Sequence, residues 1–104
     1  MSFQFNDNSG GGFSVSSAGS STNLASNKIY LIDTSGGIYT MALPTPVAGA
    51  QIIIKDATGN AEENYMQLSP TGGSQIDGIA GIRRLQAAFG SWYVVSNGTH
   101  WFLI

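Results

Sequence analysis

"GSWYVVSNGTHWFLI", Gly90 to Ile104, is the stretch that decides the fold. Side chains alternate between faces along a strand, so Trp92 and Val94 share one face and Tyr93 and Val95 the other. Ser96-Asn97-Gly98-Thr99 reads as a tight turn, because Asn and Gly tolerate the backbone angles that hairpins need. Beyond it, Trp101 and Leu103 oppose Phe102 and Ile104. Both faces of this hairpin are apolar. That calls for a core on one side and a second sheet or a neighbouring subunit on the other.

The same period recurs upstream. Ile29-Tyr30-Leu31-Ile32 leads into the turn Asp33-Thr34-Ser35-Gly36-Gly37, and Ile38-Tyr39-Thr40-Met41-Ala42-Leu43 alternates until Pro44-Thr45-Pro46 breaks it. Gln51-Ile52-Ile53-Ile54-Lys55 is β-branched on both faces, which suits a central strand. Tyr65-Met66-Gln67-Leu68 and Gln75-Ile76-Asp77-Gly78 follow, separated by Ser69-Pro70-Thr71-Gly72-Gly73. Ile82 to Phe89 could be written as a short helix, but it sits between Gly81 and Gly90 and is read as strand. No segment sustains a helical period. Short strands with Gly, Pro, Asn and Asp turns predict an all-β fold, an antiparallel β-sandwich or small β-barrel.

Residues 1–26 differ from the rest, being dominated by Ser, Gly and Asn with isolated Phe3, Phe5, Phe13, Val15 and Leu24. Such a segment cannot bury enough apolar area alone to offset its ordering entropy. It is read as an extended N-terminal arm on a β domain of residues 27–104. Phe3-x-Phe5 and Phe13-x-Val15 have strand period, so the arm either adds to an edge that something offers it or stays a disordered leader.

The chain has 104 residues, room for one domain, and only 10% of them are charged, against roughly 25% in an average soluble domain. A surface so poor in charge is either neutral and polar or partly hidden in an assembly. The net charge of −2 leaves no electrostatic footprint for nucleic acid or an anionic membrane, and neither is an expected partner. With no cysteine, disulfides and thiolate metal sites are excluded. Met1 to Asp7 has neither the basic nor the apolar region of a signal peptide, and no apolar run approaches the roughly 20 residues of a membrane span. The expectation is a soluble chain made in a cytosol.

Candidate chemistry is sparse. His100 is the sole histidine and lacks a motif that would supply a nucleophile and an orienting acid. Asp56, Glu62, Glu63 and Asp77 could gather round a hard cation, but their spacing matches no calcium loop, and turn chemistry explains Asp56 to Asn60. Gly10-Gly11-Gly12 lacks the Lys-Ser/Thr of a phosphate loop and reads as a hinge. No catalytic residue, cofactor or metal is assigned. Arg83 and Arg84 point to opposite faces of a strand, as solvated side chains or as partners in inter-subunit ion pairs. Trp92, Tyr93 and Trp101 suit a sugar-binding platform, and equally the filling of a thin core or a subunit interface.

The series Ile54-Lys55-Asp56-Ala57-Thr58-Gly59-Asn60-Ala61, Leu68-Ser69-Pro70, Gln75-Ile76-Asp77-Gly78, Phe89-Gly90-Ser91-Trp92 and Ser96 to Ile104 resembles a short β domain of virion proteins. It is similar to the domain found near the C-termini of tail-fibre, spike and capsid-associated proteins of tailed bacteriophages and other large DNA viruses. The chain departs from that pattern at Phe89, where Tyr is common, and at Asn97 and His100, where Asp and Asn are usual. The resemblance covers about residues 28–104 and implies a non-enzymatic, usually trimeric module of the virion surface.

A free-standing module with an arm is expected to be a capsid decoration, or cement, protein that binds the major capsid protein as a homotrimer on the capsid surface. Phe3, Phe5, Phe13 and Val15 would attach it, and Trp92, Tyr93, Trp101, Phe102 and Ile104 would form the core or subunit interface. The alternative is the receptor-binding tip of a tail fibre or spike, its aromatics and loop residues such as Asn64, Thr71 and His100 touching host surface glycans.

Overall fold

Residues 13–104 are the ones described in the computed structural model. Within them, the alternating stretches become nine strands. They are β1 Ser14–Ala18, β2 Thr22–Asn23, β3 Lys28–Ile32, β4 Tyr39–Ala42, β5 Gln51–Asp56, β6 Met66–Ser69, β7 Arg83–Leu85, β8 Ser91–Ser96 and β9 Trp101–Leu103. Among the described residues, helix is confined to one 3₁₀ turn, Thr34–Gly36, which Asp33 caps by accepting the Ser35 N–H.

The strands form two mixed sheets, ordered β1-β3-β5-β8-β9 and β2-β4-β6-β7, and neither closes into a barrel. The expected antiparallel arrangement is corrected here. β1, β3 and β5 run parallel, as do β2, β4 and β6, and only the pairings β5–β8, β8–β9 and β6–β7 are antiparallel. The reason is the route of the chain. It crosses from the first sheet to the second and back three times, so successive returns bring like-directed strands together. The hairpin reading holds only once the chain reverses beside β5.

Alternation then sorts the residues. β5 lies in the middle of its sheet, and Ile52, Ile54 and Asp56 face inward while Gln51, Ile53 and Lys55 face outward. Ile32, Ile52, Ile54, Val94 and Trp101 from the first sheet meet Met41, Met66 and Leu68 from the second in one core. Each of these is fully buried.

Of the segment read as an arm, Phe3 and Phe5 lie outside the described residues. Residues 14–18 pair along the whole length of β3, Thr22 and Asn23 pair with β4, and Leu24 is buried in the core. The Ser-rich composition is compatible with this because β1 needs little burial of its own: its main chain bonds to an edge that β3 already presents. Ile82 to Phe89 yields a strand only at Arg83–Leu85, and Gln75 to Gly78 contributes bridges of Ile76 to Ile79 and Trp101 in place of a full strand.

Candidate functional site

The end of the first sheet where β5 stops is organised by one buried carboxylate. Asp56 Oδ1 accepts from the Thr34 hydroxyl at 2.7 Å and from the N–H groups of Thr58 and Gly59 at 3.2 and 3.0 Å. Its Oδ2 accepts from the N–H groups of Ala61 and Phe89, both at 3.0 Å. Burial raises the pKa of this carboxyl, but the Thr34 hydroxyl and the N–H groups of Phe89, Ala61 and Thr58 outweigh it and lower the value to about 2. Asp56 therefore acts as an anionic hub that fixes three loops. Asn64 adds a latch, donating from Nδ2 to the Thr34 carbonyl at 2.8 Å.

That hub holds Phe89 in an unusual way. Its φ is +57°, a left-handed conformation that a bulky side chain rarely adopts, and the residue is 55% exposed. The ring lies over Gly59, where an added Cβ would come within 2.5 Å of it. Lys55 donates from Nζ to the Phe89 carbonyl and sits 5.8 Å from the ring centroid. Sequence reading found the Asp56 turn but not this partner, 33 residues away.

The terminal hairpin divides as its alternation predicts. Trp92, Val94 and Trp101 are buried, and the Trp101 indole donates from Nε1 to the Pro44 carbonyl at 3.2 Å. Tyr93 is half-buried on the outward face and donates its hydroxyl to the Gln51 side chain. Phe102 is 36% and Ile104 75% exposed, so these two lie outside the core. Val15 is 58% exposed on β1, and Phe13, just before it, is half-buried.

Asp77 joins the two sheets at their far edges. Its Oδ1 accepts from the Leu103 N–H at 3.1 Å, and its Oδ2 stands 3.6 Å from an Arg83 guanidinium nitrogen. Arg84 stacks over Tyr65, 4.4 Å from the ring centroid. Both arginines thus have partners within the chain. The outer edge of β9 is covered as well: Trp101 donates to the Gln75 carbonyl at 2.9 Å, and the Asp77 N–H donates to the Trp101 carbonyl at 3.0 Å. On the opposite side of that sheet, β1 pairs with β3 along one edge, and no strand among the described residues pairs with its other edge.

The remaining candidates are tied into local structure. His100 Nδ1 accepts from the Gln75 N–H at 3.0 Å, and Thr71 donates its hydroxyl to the Leu43 carbonyl at 3.0 Å. Among the described residues, Asp56, Glu62, Glu63 and Asp77 are not brought together as a cation site. No known family model matches the chain, and no curated protein matches it.

Proposed function

We propose that the chain is a non-enzymatic structural protein of a bacteriophage virion, a capsid decoration protein that binds the outer capsid surface as a trimer and stabilises it. The observation that carries this reading is the contrast between the sheet's two edges. Gln75 to Asp77 covers β9, whereas β1, Ser14–Ala18, offers a neutral main-chain row to another chain. Proteins ordinarily blunt such edges with charge, proline or a covering loop, so an uncharged edge with which no strand among the described residues pairs suits assembly.

Attachment by strand addition uses that row. A capsid segment, or the residues preceding Phe13 exchanged with it, gains main-chain hydrogen bonds along Ser14 to Ala18, while Phe3, Phe5, Phe13 and Val15 supply apolar contact. Three such attachments per trimer multiply the affinity. In this reading the two sheets form a sandwich body, and the N-terminal residues serve as its arm. The low charge of the chain supports the same conclusion, since an assembled surface needs fewer charges to stay in solution.

The test is the copy number of the chain in purified virions, measured against the major capsid protein by quantitative mass spectrometry. Near-stoichiometric copies support decoration. A few trimers per particle overturn it in favour of a fibre or spike tip that contacts host glycans.

A further inference from the structure

The turn of the terminal hairpin holds a reactive dipeptide in a prepared setting. Of the chain's asparagines, only Asn97 is followed by glycine. Asn97, Gly98 and Thr99 are all exposed between β8 and β9. There Asn97 Oδ1 accepts from the N–H groups of Thr99 at 3.0 Å and His100 at 2.9 Å. A side chain that reaches the residues two and three ahead folds over the peptide unit between, which brings Cγ to the side of the Gly98 nitrogen. That nitrogen donates to Ser96 Oγ at 3.0 Å. The φ of Gly98 is +100°, a region that favours glycine, and without a Cβ the nitrogen stays unshielded.

We propose that Asn97 is a self-modifying site, at which the folded turn converts asparagine chiefly to aspartate. The Gly98 amide proton, already shared with Ser96 Oγ, passes to hydroxide, and the nitrogen bonds to Cγ of Asn97. The Cγ–Nδ2 bond breaks as Nδ2 takes a proton from water, and ammonia leaves behind a five-membered succinimide. Water then adds, and one of the two imide C–N bonds opens. In the first step negative charge gathers on Oδ1, where two N–H groups already point, an arrangement that stabilises a developing oxyanion. In the second step the same donors polarise the Cγ carbonyl of the imide and direct water to it. Attack there restores the ordinary main chain with an aspartate side chain, whereas attack at the main-chain carbonyl would route the chain through Cγ as isoaspartate. Aspartate keeps both acceptor bonds, now strengthened by charge, and adds one negative charge to a chain whose net charge is −2.

Full-length protein held in mildly alkaline buffer, folded or in urea, tests this. Trypsin cleaving after Arg84 releases residues 85–104, in which Asn97 is the sole asparagine, and a sample digested without incubation sets the background. Mass spectrometry reads the conversion, electron-transfer fragmentation separates aspartate from isoaspartate, and Asn97→Asp supplies the ion-exchange standard for the expected product. In the folded protein Asn97 should convert at least about tenfold faster than Asn60, which is exposed but precedes alanine, and its ratio of aspartate to isoaspartate should exceed the ratio in urea at least about threefold. Urea is the necessary reference, because an unfolded Asn-Gly pair reacts without help from the fold. Conversion at Asn97 no faster than at Asn60 overturns the proposal, and so does a folded ratio no higher than the ratio in urea. Neither result moves the virion copy number, which tests decoration separately.

Discussion

The carboxylate of Asp56 accepts the backbone N–H of Phe89 at 3.0 Å, across 33 residues of sequence and from a fully buried position. Four other donors share that carboxylate, so its charge is balanced by hydrogen bonds alone. Asp56→Ala should leave several of these donors buried and unpaired. The expected loss is about 3–5 kcal/mol, measured by urea unfolding, since each orphaned buried group costs about 1–3 kcal/mol.

Acid should reveal the same residue. Its folded value of about 2 lies below the ordinary 3.8, so ionised Asp56 favours the folded state above pH 4. That contribution, about 2 kcal/mol from a shift of nearly two units, is lost progressively as pH falls from about 4 towards 2. The slope of stability against pH in that window should be shallower in Asp56→Asn. An unchanged slope would mean that the carboxylate is not the acid-sensitive group.

How much of this was legible follows from the distance over which each feature acts. The alternation of Gln51 to Lys55 and the Asn-Gly turn before Trp101 are local, and both became the strands their spacing predicts. Asp56 capping its own turn through Thr58 and Gly59 is equally local. Parallel pairing is not. Ser14 lies beside Lys28, and Lys28 beside Ile52, so the advance is 14 residues in one return and 24 in the next. Unequal returns leave no fixed period to detect. Val15 looked like an isolated apolar residue for the same reason, because its neighbours Ile29 and Ile53 come from other parts of the chain.

Phe89 and Gly59 constrain each other. Gly59→Ala adds a Cβ that meets the Phe89 ring at 2.5 Å, at a position whose φ of +82° already disfavours a side chain. The backbone term alone costs about 1–2 kcal/mol. Truncating the ring in Gly59→Ala/Phe89→Ala should recover the steric part and leave the backbone part, giving non-additive changes in a double-mutant cycle. Strict additivity would show that the ring does not rest on Gly59.

The two ends of the terminal strand should behave differently. Trp101 is fully buried and donates to the Pro44 carbonyl, so Trp101→Ala is expected to cost about 3–5 kcal/mol. Phe102 is 36% exposed on the other face, and Phe102→Ala should cost the monomer under about 1 kcal/mol while weakening self-association. Thermal unfolding at several protein concentrations separates the two effects, because loss of an interface lowers the concentration dependence of Tm.

Truncation from the N-terminus distinguishes attachment from folding. Removing residues 1–26 deletes β1, whose five residues pair with β3, and Leu24, which lies in the core. A buried leucine contributes about 2–5 kcal/mol, and exposing the edge of β3 adds to that loss, so this truncation should leave little folded protein. Removing residues 1–12 spares all of these contacts, and the body should unfold at nearly the wild-type urea concentration. If the N-terminal residues make the capsid contact, the shorter truncation should lower capsid binding at least tenfold in a sedimentation assay while the isolated protein keeps its stability. Full binding by a folded chain that lacks residues 1–12 would shift attachment from Phe3 and Phe5 to Phe13, Val15 and the open edge of β1.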